Sequence, residues 1–214
     1  MIYTHAFTFN AFEENTYVLH DDQRDGVIVD PGCADSAEQQ ELAEFIEAQG
    51  IRIQRIVNTH CHVDHVLGNY FAKQQYQAPL LIPRHEMQVL KSAKVIAPVY
   101  GYHQYQDAEP DGYLDEGDDL AVGAELMKIL FVPGHSPGHV AFYHAGSSTL
   151  IAGDVLFHNS IGRSDLPGGD HATLIDSIHK KFFTLPDNTT VYPGHGPSTT
   201  IGYEKKTNPF CRVG

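Results

Sequence analysis

The seven residues Thr59-His60-Cys61-His62-Val63-Asp64-His65 place three histidines and an aspartate directly after an apolar run containing Ile53, Ile56 and Val57. Neutral imidazole and carboxylate hold Zn²⁺, Fe²⁺ or Mn²⁺ where thiolates are not used, so the segment reads as a metal site. His60 and His62 stand two apart in a stretch expected to be extended, which points both side chains the same way. Asp64 and His65 are adjacent and cannot share that direction. The spacing suggests two metals side by side, one facing His60 and His62 and the other facing Asp64 and His65.

Three further apolar runs end in a candidate ligand: Lys128–Gly134 before His135, Thr149–Gly153 before Asp154, and Thr190–Gly194 before His195. Ligands carried at the ends of several strands converge along one edge of a sheet and are held there by a rigid scaffold. Gly134, Gly153 and Gly194, one beside each ligand, are expected to let the backbone turn sharply. His139 is expected to be structural or to brace a ligand. No catalytic role is expected for His5, His20, His85, His144, His158 or His179.

The elements that must carry these residues follow from periodicity. Alternation over Ile2–Phe9, Thr16–Leu19 and Val27–Asp30 predicts three short strands of antiparallel sheet, the last closing at Pro31-Gly32. Ser36 with Gln39 forms a capping box, Leu42, Phe45 and Ile46 make an apolar stripe, and Gly50 stops the helix. A buried strand over Ile51–Asn58 precedes the metal motif; a helix over Val66–Gln77, a strand over Leu80–Ile82 and a helix over Arg84–Val95 follow it. The segment Ala97–Gly117 is irregular and tyrosine-rich. It reads either as a surface loop or subunit contact, or as the rim of a substrate pocket carrying Tyr100, Tyr102, His103 and Tyr105. Strands over Leu126–Val132, Val140–His144, Thr149–Ala152 and Thr190–Tyr192, with a helix over Thr173–Phe183, complete the second half. Strands in both halves with interspersed helices predict an α+β protein, two sheets face to face with helices outside.

At 214 residues, 42% of them hydrophobic, the chain is expected to form a single domain over 1–214. A formal net charge of −13 argues against nucleic acid or an anionic membrane as partner, while bound cations would make the site itself locally positive. Cys33, Cys61 and Cys211 are odd in number and widely spaced, which argues against a disulfide framework and for a reducing compartment. With no leader-like start and no apolar run of membrane-spanning length, a cytoplasmic location is expected. Monomer and homo-oligomer both remain open.

The succession HxHxDH, His, Asp, His resembles the metallo-β-lactamase superfamily over nearly the whole chain. That resemblance implies a four-layer αββα sandwich of two mixed sheets with helices on the outer faces. It implies one metal held by His60, His62 and His135, a second by Asp64, His65 and His195, and Asp154 bridging them. The segments GHSPGH (Gly134–His139), GDVLF (Gly153–Phe157), IGRSDLPGGD (Ile161–Asp170) and YPGHGP (Tyr192–Pro197), with NAFEENTYVL near the start and a late TNPF, are similar to the compact bacterial glyoxalase II-like hydrolases. The longer glyoxalase II enzymes carry a basic C-terminal helical extension that grips glutathione, and this chain is expected to have none.

The expected cofactors are two divalent metal ions, zinc first, with iron or manganese accepted by the same donors. Two such ions roughly 3.5–4 Å apart share a water, lower its pKa to about 7 and aim a hydroxide at a carbonyl carbon, with Asp64 and Asp154 the carboxylates of the catalytic centre. A thioester suits this site because a thiolate, with a pKa of about 8.5, leaves without a proton donor. The expected substrate is a small-molecule thioester such as S-D-lactoylglutathione, which would place the enzyme in methylglyoxal detoxification. A mononuclear iron persulfide dioxygenase, using His60, His135 and Asp154 alone, and a lactonase are the alternatives. By the resemblance, lactamases lack an aspartate at the bridging position, so Asp154 weighs against β-lactam hydrolysis. Asp30, Arg163, Asp165 and Tyr102 are the further candidates. Asp30 would orient a ligand histidine or simply form a turn. Arg163 and Asp165 would form an ion pair, or Arg163 would grip a substrate carboxylate.

Overall fold

The computed structural model describes residues 1–213, and the chain divides into two compact units: Met1–Leu114 with Ala121–Leu126, and Asp115–Leu120 with the chain from Met127 onward. In the first unit a six-stranded sheet is ordered β1 (Tyr3–Phe9), β2 (Glu14–His20), β3 (Asp25–Val29), β4 (Arg52–Val57), β5 (Leu80–Pro83), β6 (Gly112–Leu114). The first three strands pair antiparallel and β3 through β6 pair parallel, so the sheet is mixed as expected. Parallel neighbours need a crossover, supplied by α1 (Ser36–Gln49), then α2 (Val63–Val66) with α3 (Asn69–Tyr76), then α4 (Met87–Ile96). Leu42 and Ile46 of α1, Ala72 of α3 and Leu90 of α4 join Ile28, Ile56 and Leu80 in one buried apolar cluster.

Two local expectations are corrected. The cap of α1 is Asp35, not the Ser36–Gln39 box: its extended backbone lets the carboxylate accept the N–H groups of Ala37 and Glu38, filling orphan donors of the first turn. The helix ends, as expected, at Gly50 with φ 64°. The helix expected over 66–77 is instead two, α2 and α3, interrupted at Leu67-Gly68. Gly68 donates its N–H to the Pro31 carbonyl at 2.7 Å, and a Cβ there would collide with Cys33 Sγ. Close packing of that corner breaks the helix. Asp64 and His65 consequently sit inside a helical turn and not in a loop ahead of one.

The second six-stranded sheet contains β7 (Asp119–Val122), β8 (Glu125–Phe131), β9 (Val140–His144), β10 (Thr149–Gly153), β13 (Thr190–Pro193) and β14 (Thr199–Thr200), in the order β14-β13-β10-β9-β8-β7; β11 (Leu156–Phe157) and β12 (Ser160–Ile161) form a separate hairpin. Here β9 runs antiparallel to β8 and to β10, and β13 runs parallel to β10. The strands β8, β10 and β13 therefore share one direction and open their C-terminal ends on the same edge. The helix expected over 173–183 is α5 (His171–Ser177) continued by a π-type turn over Ile178–Phe182, and α6 (Ile201–Thr207) was not anticipated. Leu150, Ala152, Leu174, Ile178, Phe182 and Ile201 belong to the buried cluster of this unit. Among the described residues no helix is long and apolar enough to cross a membrane.

Candidate metal centre

In the first unit β3 and β4 are parallel neighbours, so Asp30 and the Asn58–His60 segment leave the sheet at the same edge. Asp30 N–H donates to the Val57 carbonyl at 2.9 Å, which seats the Asp30 carboxylate under the metal motif. That carboxylate is 1% exposed. It accepts from Thr59 N–H at 2.7 Å, Thr59 Oγ1–H at 2.6 Å and His65 Nδ1 at 3.1 Å. Because the Thr59 hydroxyl proton goes to Asp30, its oxygen is left to accept from His60 Nδ1, 3.1 Å away. One carboxylate thus sets the tautomer of two histidines, leaving Nε2 as the lone-pair nitrogen on each.

The consequence is electrostatic. His65 Nε2 lies 3.6 Å from Asp64 Oδ2, a contact that is favourable only with a proton or a metal cation between the two. The ring centroids of His60 and His65 are 4.2 Å apart, and those of His60 and His62 are 4.8 Å apart. Donor atoms of Asp30, His60 and His65 fall within 4.8 Å of one another. His60 therefore stands close to His65 as well as to His62.

The second unit repeats the device. His135, Asp154 and His195 follow the C-terminal ends of β8, β10 and β13, the shared edge. His135 Nδ1 donates to the Arg163 carbonyl at 2.7 Å; a carbonyl only accepts, so Nδ1 carries a proton and Nε2 is the nitrogen turned toward the site. That Nε2 lies 3.5 Å from Asp154 Oδ2, and His195 Nε2 lies 3.5 Å from the same oxygen. Two imidazoles converging on one carboxylate are the donor set of a borderline divalent cation. The residues fit the metals that the sequence implies.

The backbone turns that expose these side chains follow the glycine expectation at two positions, Gly134 (φ 129°) and Gly153 (φ 52°); beside His195 the left-handed residue is Gly196 (φ 72°), not Gly194. Gly162 matters for a different reason. A Cβ there would collide with the Asp154 carbonyl and lie 3.2 Å from His135 Nδ1. Gly162→Ala is expected to weaken metal retention by about tenfold or more, read by competition with a chromophoric chelator; unchanged retention would show that this close approach is dispensable.

Several residues that hold the site were invisible to sequence reasoning. Glu86, fully buried, accepts the N–H of Cys61 at 2.9 Å and so grips the backbone between His60 and His62. Asn58 Nδ2 donates to the His65 carbonyl at 3.0 Å. His139 Nε2 accepts the N–H of Asp154 at 3.0 Å, which selects the bracing reading for that histidine. Burial pushes the Glu14 carboxyl well above the usual carboxylate range, against the pull of His65. Burial, with Glu86 and Asp30 adding to it, also pushes the Cys61 thiol up, and Cys61 packs in the apolar cluster as a thiol and not a thiolate ligand.

Among the remaining candidates, Arg163 and Asp165 form a bidentate ion pair at 2.7 and 2.8 Å. The guanidinium lowers the Asp165 carboxyl to about 2. Both side chains are more than 60% exposed, so the pair adds little stability, and it is the Arg163 carbonyl that touches a candidate ligand. Tyr102 Oη accepts the N–H of Ala11 at 2.9 Å, tying the tyrosine-rich segment to the turn between β1 and β2. With Tyr70, Phe71, His103 and Tyr105, Tyr102 lines a cleft of about 580 Å³ to which no candidate ligand contributes.

A family model described as the metallo-beta-lactamase superfamily matches residues 10–195. The chain is 35% identical over 202 residues to the hydroxyacylglutathione hydrolase GloC of Haemophilus influenzae, covering 94% of this chain and 93% of that one. It is 32% identical to the mitochondrial persulfide dioxygenase ETHE1 of Bos taurus, covering 91% of this chain and 70% of that one. Among solved structures it is similar to the BLEG-1 B3 metallo-beta-lactamase, with TM-score 0.88 and 34% identity over the whole of both chains. It is also similar to TTHA1623 in a di-iron-bound form, with TM-score 0.86 and 35% identity over 96% of this chain and 99% of that one.

Proposed function

The chain belongs to the metallo-β-lactamase superfamily and has its fold, and from that premise we propose that it is a dinuclear metal-dependent hydrolase of thioesters, S-D-lactoylglutathione among them. The observation that carries the reading is the histidine orientation: His65, like His135, gives its Nδ1 proton away from the site and turns Nε2 toward a carboxylate. A proton or a metal cation between nitrogen and carboxylate relieves that contact, and several imidazoles and carboxylates converging together suit the metal. In this proposal His60, His62 and His135 hold one ion, Asp64, His65 and His195 the other, and Asp154 both. The similarity to GloC supports the substrate class.

Bound divalent ions would supply an acidified water as nucleophile and an electrophile for the carbonyl oxygen. The chain's own part is to hold the donors. Asp30 keeps the His60 and His65 lone pairs facing inward, Arg163 O does the same for His135, and His139 holds the backbone of Asp154. The Arg163 guanidinium, pre-aligned by Asp165, is a cation suited to a substrate carboxylate. A thiolate leaving group, with a pKa of about 8.5, departs without a proton donor.

The similarity to ETHE1 favours a second reading, a mononuclear iron persulfide dioxygenase, in which Asp64, His65 and His195 would be idle. Metal quantification on the purified protein separates the two, combined with assays on S-D-lactoylglutathione, a lactone, a β-lactam, and glutathione persulfide with oxygen. Two ions per chain and thioester cleavage that chelation abolishes and metal restores are expected; one iron per chain with oxygen uptake on the persulfide would replace the hydrolase reading. His195→Ala is expected to remove about one ion per chain and to lower thioester turnover by on the order of 10²-fold. Unchanged metal content and turnover would refute the two-ion assignment.

A further inference from the structure

We propose that Glu204, on α6 and distant in sequence from Asp154 and His135, is a positioning residue of the metal centre, a role that rests on the ligand reading above. Glu204 is fully buried, and burying a carboxylate is costly unless donors converge on it. They do. Its Oε1 accepts from Thr199 Oγ1 at 2.5 Å, and its Oε2 accepts from Asn208 Nδ2 at 2.8 Å and from Asn159 N–H at 3.1 Å. Asn208 Nδ2 also donates to the Ser160 carbonyl at 2.9 Å. The Asn159 and Ser160 contacts both land on the β11–β12 hairpin, at whose tip Asn159 is held at φ 55°.

That hairpin has a ligand at one end and a ligand's support at the other. Asp154 precedes β11. After β12 come Gly162, which packs against the Asp154 carbonyl and donates its N–H to Val155 O at 3.3 Å, and Arg163, whose carbonyl fixes the His135 tautomer. The separation between the Asp154 carboxylate and His135 Nε2 thus depends on the shape of a nine-residue segment, 155–163, whose turn is clamped from α6. Glutamine at 204 would present an N–H₂ group to at least one of the three donors, loosening the turn without changing side-chain volume.

The test is Co²⁺ titration of metal-free wild type, Glu204→Gln and Asn208→Ala, followed by chelator competition and by the visible absorption bands of the bound cobalt. Far-UV circular dichroism and melting of the metal-free forms are recorded alongside. Glu204→Gln is expected to lose about tenfold or more in affinity, with altered visible bands and an unchanged metal-free fold. A merely structural role would lower the melting temperature and leave the bands alone. Equal affinity and identical bands in wild type and Glu204→Gln would overturn the proposal by itself, whereas wild type that binds no cobalt would overturn the ligand reading and the proposal together. If Glu204→Gln does not fold, Asn208→Ala decides by the same two readouts.

Discussion

Asp154→Ala is expected to abolish thioester turnover, by on the order of 10³-fold or more, and to reduce bound metal below two ions per chain. Among the described residues Asp154 is the carboxylate that His135 and His195 share, each with Nε2 3.5 Å from its Oδ2. Without it the two imidazoles lose the carboxylate they share. The backbone should stay in place, because His139 holds the Asp154 main-chain N–H and not its side chain. The metal-free protein, at a pH where both imidazoles are neutral, gives a second readout of opposite sign: deleting a largely buried carboxylate that faces two imidazole nitrogens removes repulsion, so its melting temperature should hold or rise. Retained turnover with full metal content would remove Asp154 from the centre. A lowered metal-free melting temperature would show that the carboxylate is stabilising and that the lone-pair argument is wrong.

Asp30→Ala carries the largest expected loss of stability. Its carboxylate takes four hydrogen bonds, two from Thr59, one from His65 and a longer one from Asn58, in a site closed to water. Alanine leaves those donors buried and unmatched, at about 3–5 kcal/mol. Asp30 also sits at φ 49°, a conformation that aspartate tolerates better than alanine. For a chain of this length the loss corresponds to a fall of about 10 °C or more in the metal-free melting temperature. Metal affinity should fall with it, because His60 and His65 lose the partner that fixes their tautomers. Asp30→Asn should be intermediate in both, since its carbonyl oxygen can keep one donor while its amide opposes another. A melting temperature within about 2 °C of wild type in Asp30→Ala would show that the network is not what holds the motif.

Much of the candidate site was legible from residue order. Clustered histidines and aspartates can be read directly, and apolar runs ending in a ligand announce strands that deliver side chains to an edge. The Gly50 stop likewise depends on neighbours a few positions away. The misreadings have a common cause. The helix over 66–77 looked continuous because its composition permits it, but Gly68 must lie against Pro31 and Cys33, a contact between residues more than thirty positions apart. Ser36 looked like the cap of α1 because serine with a glutamine three residues on is a favourable pair; the preceding aspartate, already extended, competes better for the same N–H groups. Glu86 and Glu204 carry no local pattern that would mark them, since each acts on backbone 25 and 45 positions away.

What the sequence by itself determined is the donor chemistry: seven imidazoles and carboxylates, their spacing, and the strands that end in them. Side-chain identity decides which atoms can bind a divalent cation, and it needs no coordinates. Tertiary structure decided which nitrogen of His60, His65 and His135 faces the site. An imidazole turns Nε2 inward only when something accepts its Nδ1 proton, and here the acceptors are Asp30, the Thr59 hydroxyl and the Arg163 carbonyl. Two of those three reach their histidines across 35 and 28 residues of chain. Only the pairing of β3 with β4, and the turn that follows β12, brings them there.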